Sequence, residues 1–288
     1  MARNNSPDCS RGSTRKVGKH VKRVGLWINH SKDEALILAE QITQWFQARG
    51  WEVYSAWEKI TKHGVDFLIS LGGDGTLLEA AREAAPYSIP VLGVNLGRLG
   101  FLCEIERQEI FDALDKLLVK DYTIQERLML SARVGDSPET YLVLNDVAFQ
   151  REPETSMVTL QANLSGEPSV SYPADGLIIS TPTGSTAYSL SAGGPILSPN
   201  VEAILLTPLA AHSLSARPMV VSDQEIIEIV LARGERCRVS FDGYHSVLMQ
   251  QGEIVHIQKA NISALIIHIG KRSFPHVVRE KLKDRWHE

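Results

Sequence analysis

The apolar run Phe67-Leu68-Ile69-Ser70-Leu71 ends in Gly72-Gly73-Asp74-Gly75-Thr76, and Leu77-Leu78-Glu79-Ala80-Ala81-Arg82 follows at once. The run reads as a strand buried on both faces, the glycines as a turn, and the apolar-periodic residues behind them as a helix start. Three glycines let the backbone approach a ligand where a β-carbon would clash. The helix N-terminus offers free N–H groups and a partial positive charge, which suits phosphate. A carboxylate adds nothing to a purely phosphate-binding loop. Asp74 therefore points to chemistry: a base for a hydroxyl, or a contact to a metal ion.

Around this loop, strands and helices alternate. Val21 to Asn29 reads as a first strand, and Ser31-Lys32-Asp33-Glu34 has the spacing of a capping box. Ala35, Leu38, Ala39, Ile42, Trp45 and Phe46 keep helical spacing, with Gly50 as a stop. Trp51 to Ala56, residues 66–71 and Pro90 to Asn95 read as strands. Residues 76–85 and 107–119 read as helices, the second with Ile110, Leu114, Leu117 and Leu118 inward. This half is α/β with a mainly parallel sheet.

From about Tyr122 the pattern changes. Strand-like runs follow one another with no strong helix between most of them: Leu128–Val134, Tyr141–Gln150, Met157–Leu164, Leu177–Ser180, Ala203–Thr207, Glu225–Leu231, Cys237–Phe241, Val255–Gln258 and Ala264–Ile269. This predicts an all-β domain of packed sheets. The end of the chain returns to helix, with Pro275 in a first turn and Val278, Leu282 and Trp286 on one face. The expected division is a polar, basic tail over 1–20, an α/β domain over 21–124, an all-β domain over 125–270 and a helical tail over 271–288. The junction falls near residues 120–128.

The 288 residues suffice for one large domain or two ordinary ones. A formal net charge of −4 gives no basic field for nucleic acid. Cys9, Cys103 and Cys237 are far apart and match no metal or redox spacing, which fits reduced thiols in the cytoplasm. No run of about 18 apolar residues predicts a membrane span.

The loop is not a P-loop, since it lacks the Gly-Lys-Ser/Thr ending and offers no lysine. It is not the dinucleotide fingerprint either. A tight connection between strand and helix is the plain alternative, and Asp74 weighs against it. A second cluster, Asn145-Asp146, interrupts the apolar run Tyr141–Phe149. It reads as an edge bulge with solvated side chains, or as polar groups aimed at ligand hydroxyls. A third stretch opens from a strand, Asp175-Gly176-Leu177-Ile178-Ile179-Ser180. It continues as Thr181-Pro182-Thr183-Gly184-Ser185-Thr186-Ala187-Tyr188-Ser189-Leu190-Ser191-Ala192-Gly193-Gly194-Pro195. Small hydroxyls and glycines in such density suit close approach to a ligand. Tyr188 and Leu190 argue against a flexible linker.

Together, Gly72–Thr76, Asn145-Asp146, the stretch from Asp175 to Pro195 and Asn95-Leu96-Gly97-Arg98-Leu99-Gly100-Phe101-Leu102 resemble the NAD kinase family. The resemblance covers about residues 20–275 in order. The glycine–aspartate loop is shared with diacylglycerol and sphingosine kinases and loosely with phosphofructokinases. The hydroxyl-rich stretch is far more specific. Many family members carry Gln after the Phe-Asp-Gly of the late β region, where this chain has Tyr244.

The resemblance implies ATP-dependent phosphorylation of the 2′-hydroxyl of the NAD adenosine ribose, with a divalent cation, magnesium or manganese. It implies Asp74 as proton acceptor, and Gly72, Gly73, Gly75 and Thr76 at the donor phosphates. Phe101 and Leu102 would lie beside the adenine, and Asn145 and Asp146 at the nucleoside. Asp175, Thr186, Ala187, Tyr188, Ser189, Leu190 and Ser191 would line the NAD pocket. It further implies a homodimer or homotetramer. Two other readings use the same loop: a lipid kinase, for which the chain lacks an apolar or basic membrane surface, and a silent NADP-binding regulator, against which the intact Asp74 argues.

Overall fold

The computed structural model describes residues 22–97, 100–153, 156–211, 216–270 and 273–283. The basic tail over 1–20, Arg98, Leu99 and Trp286 lie outside the described residues.

The first half alternates as β1 (Arg23–Ile28), α1 (Asp33–Gln47), β2 (Glu52–Tyr54), α2 (Trp57–His63), β3 (Phe67–Gly72), α3 (Asp74–Ala84), β4 (Val91–Asn95), β5 (Ile105–Glu106) and α4 (Ile110–Leu118). β3 and β4 are buried throughout, so each needs apolar cover on both faces. One face is packed by Ala35, Leu38 and Ile42 of α1 and by Ile110 and Leu114 of α4. The other is packed by Leu77, Ala80 and Ala84 of α3. α2 escaped the sequence reading because it is short and buries only Ile60.

Next come β6 (Thr123–Arg127), β7 (Leu130–Val134), β8 (Tyr141–Val143), β9 (Asp146–Arg151), β10 (Val158–Leu164), β11 (Glu167–Ala174) and β12 (Gly176–Ser180). A short helix α5 (Tyr188–Ser191) precedes β13 (Ala203–Leu209), β14 (Met219–Ser222), β15 (Ile227–Arg233), β16 (Arg236–Phe241), β17 (His245–Gln250), β18 (Ile254–Lys259) and β19 (Ala264–His268). The helix α6 (Phe274–Lys283) follows, with Pro275 in its first turn.

The first sheet runs β2-β1-β3-β4-β19-β6, with β5 beside β4. Its pairings are parallel except β19 with β6. Ala264–His268, grouped by pattern with the β domain, therefore returns to the α/β sheet. Alternation reports burial, not which sheet a strand joins. Here Ile267 faces the α1–α4 side and Ala264 and Ile266 the α3 side.

The remaining strands form two antiparallel sheets, β11-β10-β15-β18-β7-β8 and β14-β13-β12-β9-β16-β17. Phe149, Leu177 and Val239 of one interleave with Leu160, Tyr172 and Ile229 of the other. Leu144, between β8 and β9, instead packs with Leu77, Leu78 and Met129 beside α3. That contact places the β8–β9 crossing against the glycine-loop helix.

Candidate active site

Asp74 is the first residue of α3, and Gly73 occupies the N-cap position. Sequence periodicity starts this helix two residues later; the earlier start holds the carboxylate on a rigid element. A β-carbon on Gly72 would lie 2.1 Å from Thr76 Oγ1, so this glycine lets the strand meet its own helix. Around Gly75 there is open space. Close backbone approach to a ligand is thus open at Gly75 and not at Gly72.

The Asp74 carboxylate accepts three backbone N–H bonds from the turn after β4. Phe101 N donates to Oδ2 at 2.6 Å, and Leu102 N and Cys103 N donate to Oδ1 at 3.2 and 2.9 Å. A carboxylate oxygen has about two lone-pair sites. Oδ1 is filled, and Oδ2 keeps one free. Gly100 is required there, since a β-carbon would stand 1.8 Å from Asp74 Oδ1. Phe101 and Leu102, assigned by resemblance to the adenine, hold the catalytic candidate through their amides. Burial, and then the Asp74 charge, push the Cys103 thiol well above its usual range. Asn95 closes the same corner, donating to Gly97 O and accepting from Gly97 N.

Asn145-Asp146 is not an edge bulge. The run Tyr141–Gln150 breaks here as the chain passes from β8 in one sheet to β9 in the other, and β9 is a central strand. Asp146 is 6% exposed. The crossing is held by Asp242, whose carboxylate accepts from Leu144 N, Asn145 N and Asp146 N at 2.9, 2.7 and 3.1 Å. Asp242 has a left-handed backbone, φ 51°, and Arg82 Nη1 of α3 stands 3.6 Å from its Oδ2. Burial pushes the Asp242 carboxyl up, against the pull of the three amides and Arg82. Burial, with the Asp242 charge second, pushes Asp146 up to about 7. Asp242 was missed from sequence; its only local signal is an Asp-Gly turn between two strands. Tyr244, the departure from the common family residue, is exposed, with the Arg82 guanidinium 4.8 Å over its ring.

The hydroxyl-rich stretch locks onto this crossing. Thr181 N donates to Asn145 O, Thr181 Oγ1 donates to Leu144 O, and Gly184 N donates to Thr181 Oγ1. Several of its hydroxyls are used internally. Ser189 Oγ pairs with Thr207 Oγ1 at 2.7 Å in the core, and Thr186 Oγ1 donates to Thr183 O. Ala187 bonds back to Gly184 O, and Leu190 is half-buried. Tyr188 and Ser191 instead line a cavity of about 660 Å³ with Gln150, Asp175 and Arg238. There Gln150 Nε2 donates to the Tyr188 hydroxyl and Arg151 Nε to Asp175 Oδ1, each at 2.7 Å. Asp175 precedes β12, while Asp146 is paired with Ser180 at its far end. The two carboxylates are thus separated by the length of a five-residue strand, about 15 Å.

A second cavity of about 510 Å³ lies beside the glycine loop, lined by Asn29, His30, Lys32, Gly73, Gly75 and Thr76. The turn that supplies Lys32 is not the expected capping box. Lys32 takes the N-cap position without a side-chain cap, and Asn29 Oδ1 accepts from both Ser31 N and Ser31 Oγ.

Residues 53–122 match the ATP-NAD kinase N-terminal domain and residues 144–269 the ATP-NAD kinase C-terminal domain. The NAD kinase of Heliobacterium modesticaldum is 40% identical over 277 residues, covering 90% of this chain and 98% of that one. That of Moorella thermoacetica is 40% identical over 281 residues, covering 92% and 90%. Yeast NADH kinase complexed with NADH superposes with a TM-score of 0.79 at 26% identity, over 93% of this chain and 89% of that one. An Archaeoglobus fulgidus NAD kinase in complex with ATP gives 0.73 at 28% identity, over 89% and 98%. Two family domains in chain order, and relatives alike over nine-tenths of the length, place this chain in the NAD kinase family.

Proposed function

We propose that the enzyme transfers the terminal phosphoryl group of ATP to the 2′-hydroxyl of the NAD adenosine ribose, giving NADP and ADP. The observation that carries this is the Asp74 carboxylate at the head of α3, with Oδ1 filled by two amides and one lone pair left on Oδ2. A ribose hydroxyl is a poor nucleophile until its proton has an acceptor. Oδ2 takes that proton as the new O–P bond forms and the bond to the ADP oxygen breaks. The amide clamp holds the acceptor still, so little reorganisation accompanies the transfer.

Gly73, Gly75 and Thr76 lie where donor phosphates would meet the helix N-terminus. Asn145 and Asp146 offer an amide and a carboxyl to the NAD nucleoside, at a crossing packed against α3. Asp175, Tyr188 and Ser191 extend the pocket. Among the described residues, no three His, Cys, Asp or Glu side chains converge on one point. Magnesium carried by donor phosphates and water needs no such cluster, and Asp74, whose free Oδ2 lone pair takes the ribose proton, would meet the ion through one of its water ligands. When bound, the ion offsets phosphate charge.

The family resemblance supports a homodimer or homotetramer, and the widely spaced cysteines support a cytoplasmic location. The lipid-kinase alternative gains no support, since both matched domains are those of NAD kinases. Incubation with NAD, ATP and magnesium, followed by mass spectrometry, is expected to give NADP. A phosphorylated lipid, or no NADP at any substrate level, refutes the reading.

A further inference from the structure

The glycine loop carries no lysine, although a triphosphate donor calls for a fixed positive charge. The strand order locates one. β1 lies between β2 and β3, so the connections leaving β1 and β3 part company and a crevice opens beyond their carboxyl ends. The 510 Å³ cavity occupies that crevice, with Asn29, His30 and Lys32 on the β1 side and Gly73, Gly75, Thr76 and Glu79 on the β3 side, Glu79 Oε2 accepting from Trp27 Nε1 at 3.3 Å.

Asn29 fixes the β1 side. Its N–H donates to Leu71 O at 3.0 Å, and its Nδ2 donates to Thr76 Oγ1 at 3.3 Å across the crevice. The turn then folds back, with Lys32 N donating to Asn29 O at 3.1 Å. This aims the half-buried Lys32 along the cavity, its Nζ 3.5 Å from where a Gly97 β-carbon would stand. Lys32 has no carboxylate partner among the described residues. It also sits at the N-cap of α1, where the helix dipole opposes a cation. A cation held at the head of one helix, facing the head of α3 across a crevice, is favourable when an anion lies between.

We infer that Lys32 is the cation that grips the polyphosphate chain of the nucleoside triphosphate donor, and that Asn29 positions it. This rests on the NAD kinase reading, since it concerns that reaction's donor. The Lys32→Met variant keeps the length of the side chain and removes only its charge. Steady-state kinetics with NAD, ATP and magnesium are expected to show the ATP KM raised about 10- to 100-fold, the worth of one hydrogen bond to a charged group. The NAD KM should move less than twofold, and Lys32→Arg should recover most of the loss. Calorimetry of ATP with magnesium should show the same drop in affinity.

An unchanged ATP KM in Lys32→Met, equal losses for ATP and NAD, or no recovery by Lys32→Arg overturns the inference. So does a Lys32→Met protein that no longer folds, because the charge would then serve the turn. Wild-type protein that makes no NADP overturns the functional reading instead, and the two failures are distinct.

Discussion

Replacing Asp146 by Asn removes a carboxylate that the fold holds at a cost, and the cost can be sized. Burial, then the neighbouring Asp242 charge, raises its pKa from the usual 3.8 to about 7. A carboxyl with a raised folded pKa binds its proton more tightly in the folded state. Its penalty is absent below the unfolded pKa and grows as pH rises toward the folded one, so stability falls across that window. A rise of about three on the pH scale corresponds to about 4 kcal/mol at full ionisation. More than half of this arrives between about pH 5 and about pH 8. Asn has nearly the same shape and does not ionise. Denaturant unfolding of both proteins over that range should show the stability advantage of Asp146→Asn widening by 2–3 kcal/mol, roughly, with rising pH. An advantage that stays constant, or that narrows, refutes the reasoning. The same variant should bind NAD more weakly in calorimetry, because the strained carboxylate is the better acceptor for a sugar hydroxyl.

Asp74→Asn is expected to leave the circular dichroism spectrum unchanged and lower turnover by roughly 10²- to 10⁴-fold, as loss of a general base does; near-normal turnover would exclude Asp74 as the base. Gly100→Ala places a methyl group on the Asp74 carboxylate, which must then swing off its three amides. It should cost about 1–3 kcal/mol in denaturant unfolding and most of the activity, and wild-type activity there would contradict the amide clamp. Cys103 and Cys237 are buried, with their thiols pushed up by that burial, Cys237 to about 12. A thiol reagent should modify them only after denaturation, and rapid labelling of either in native protein, read by mass spectrometry, would contradict their burial.

The legible parts of the molecule are those whose cause is local. β3 and β4 are buried on both faces, so their apolar runs stand out, and the loop between β3 and α3 carries its glycines and acid within five residues. The strands the sequence reading missed, β5, β6, β11, β14 and β17, each pair with a single neighbour. Half of such a strand faces water, and β11 carries Pro168 and Pro173, which an edge strand tolerates. Asp242 was illegible for a different reason: the amides it orders lie 96 to 98 residues away, and nothing around Phe241-Asp242-Gly243 reports them. The clamp on Asp74 from residues 101–103 is likewise a contact across 27 to 29 positions. Lys32 adds the sharpest case, because there the local signal pointed elsewhere. Ser31 and Glu34 have capping-box spacing, yet Asn29 takes the Ser31 hydroxyl and also reaches Thr76 on the opposite connection. A helix start that leaves its N-cap to a lysine gives up stability locally. An anion held in the crevice beyond β1 and β3 would offset that loss, and the neighbouring strand ends, not the turn's own residues, create that crevice.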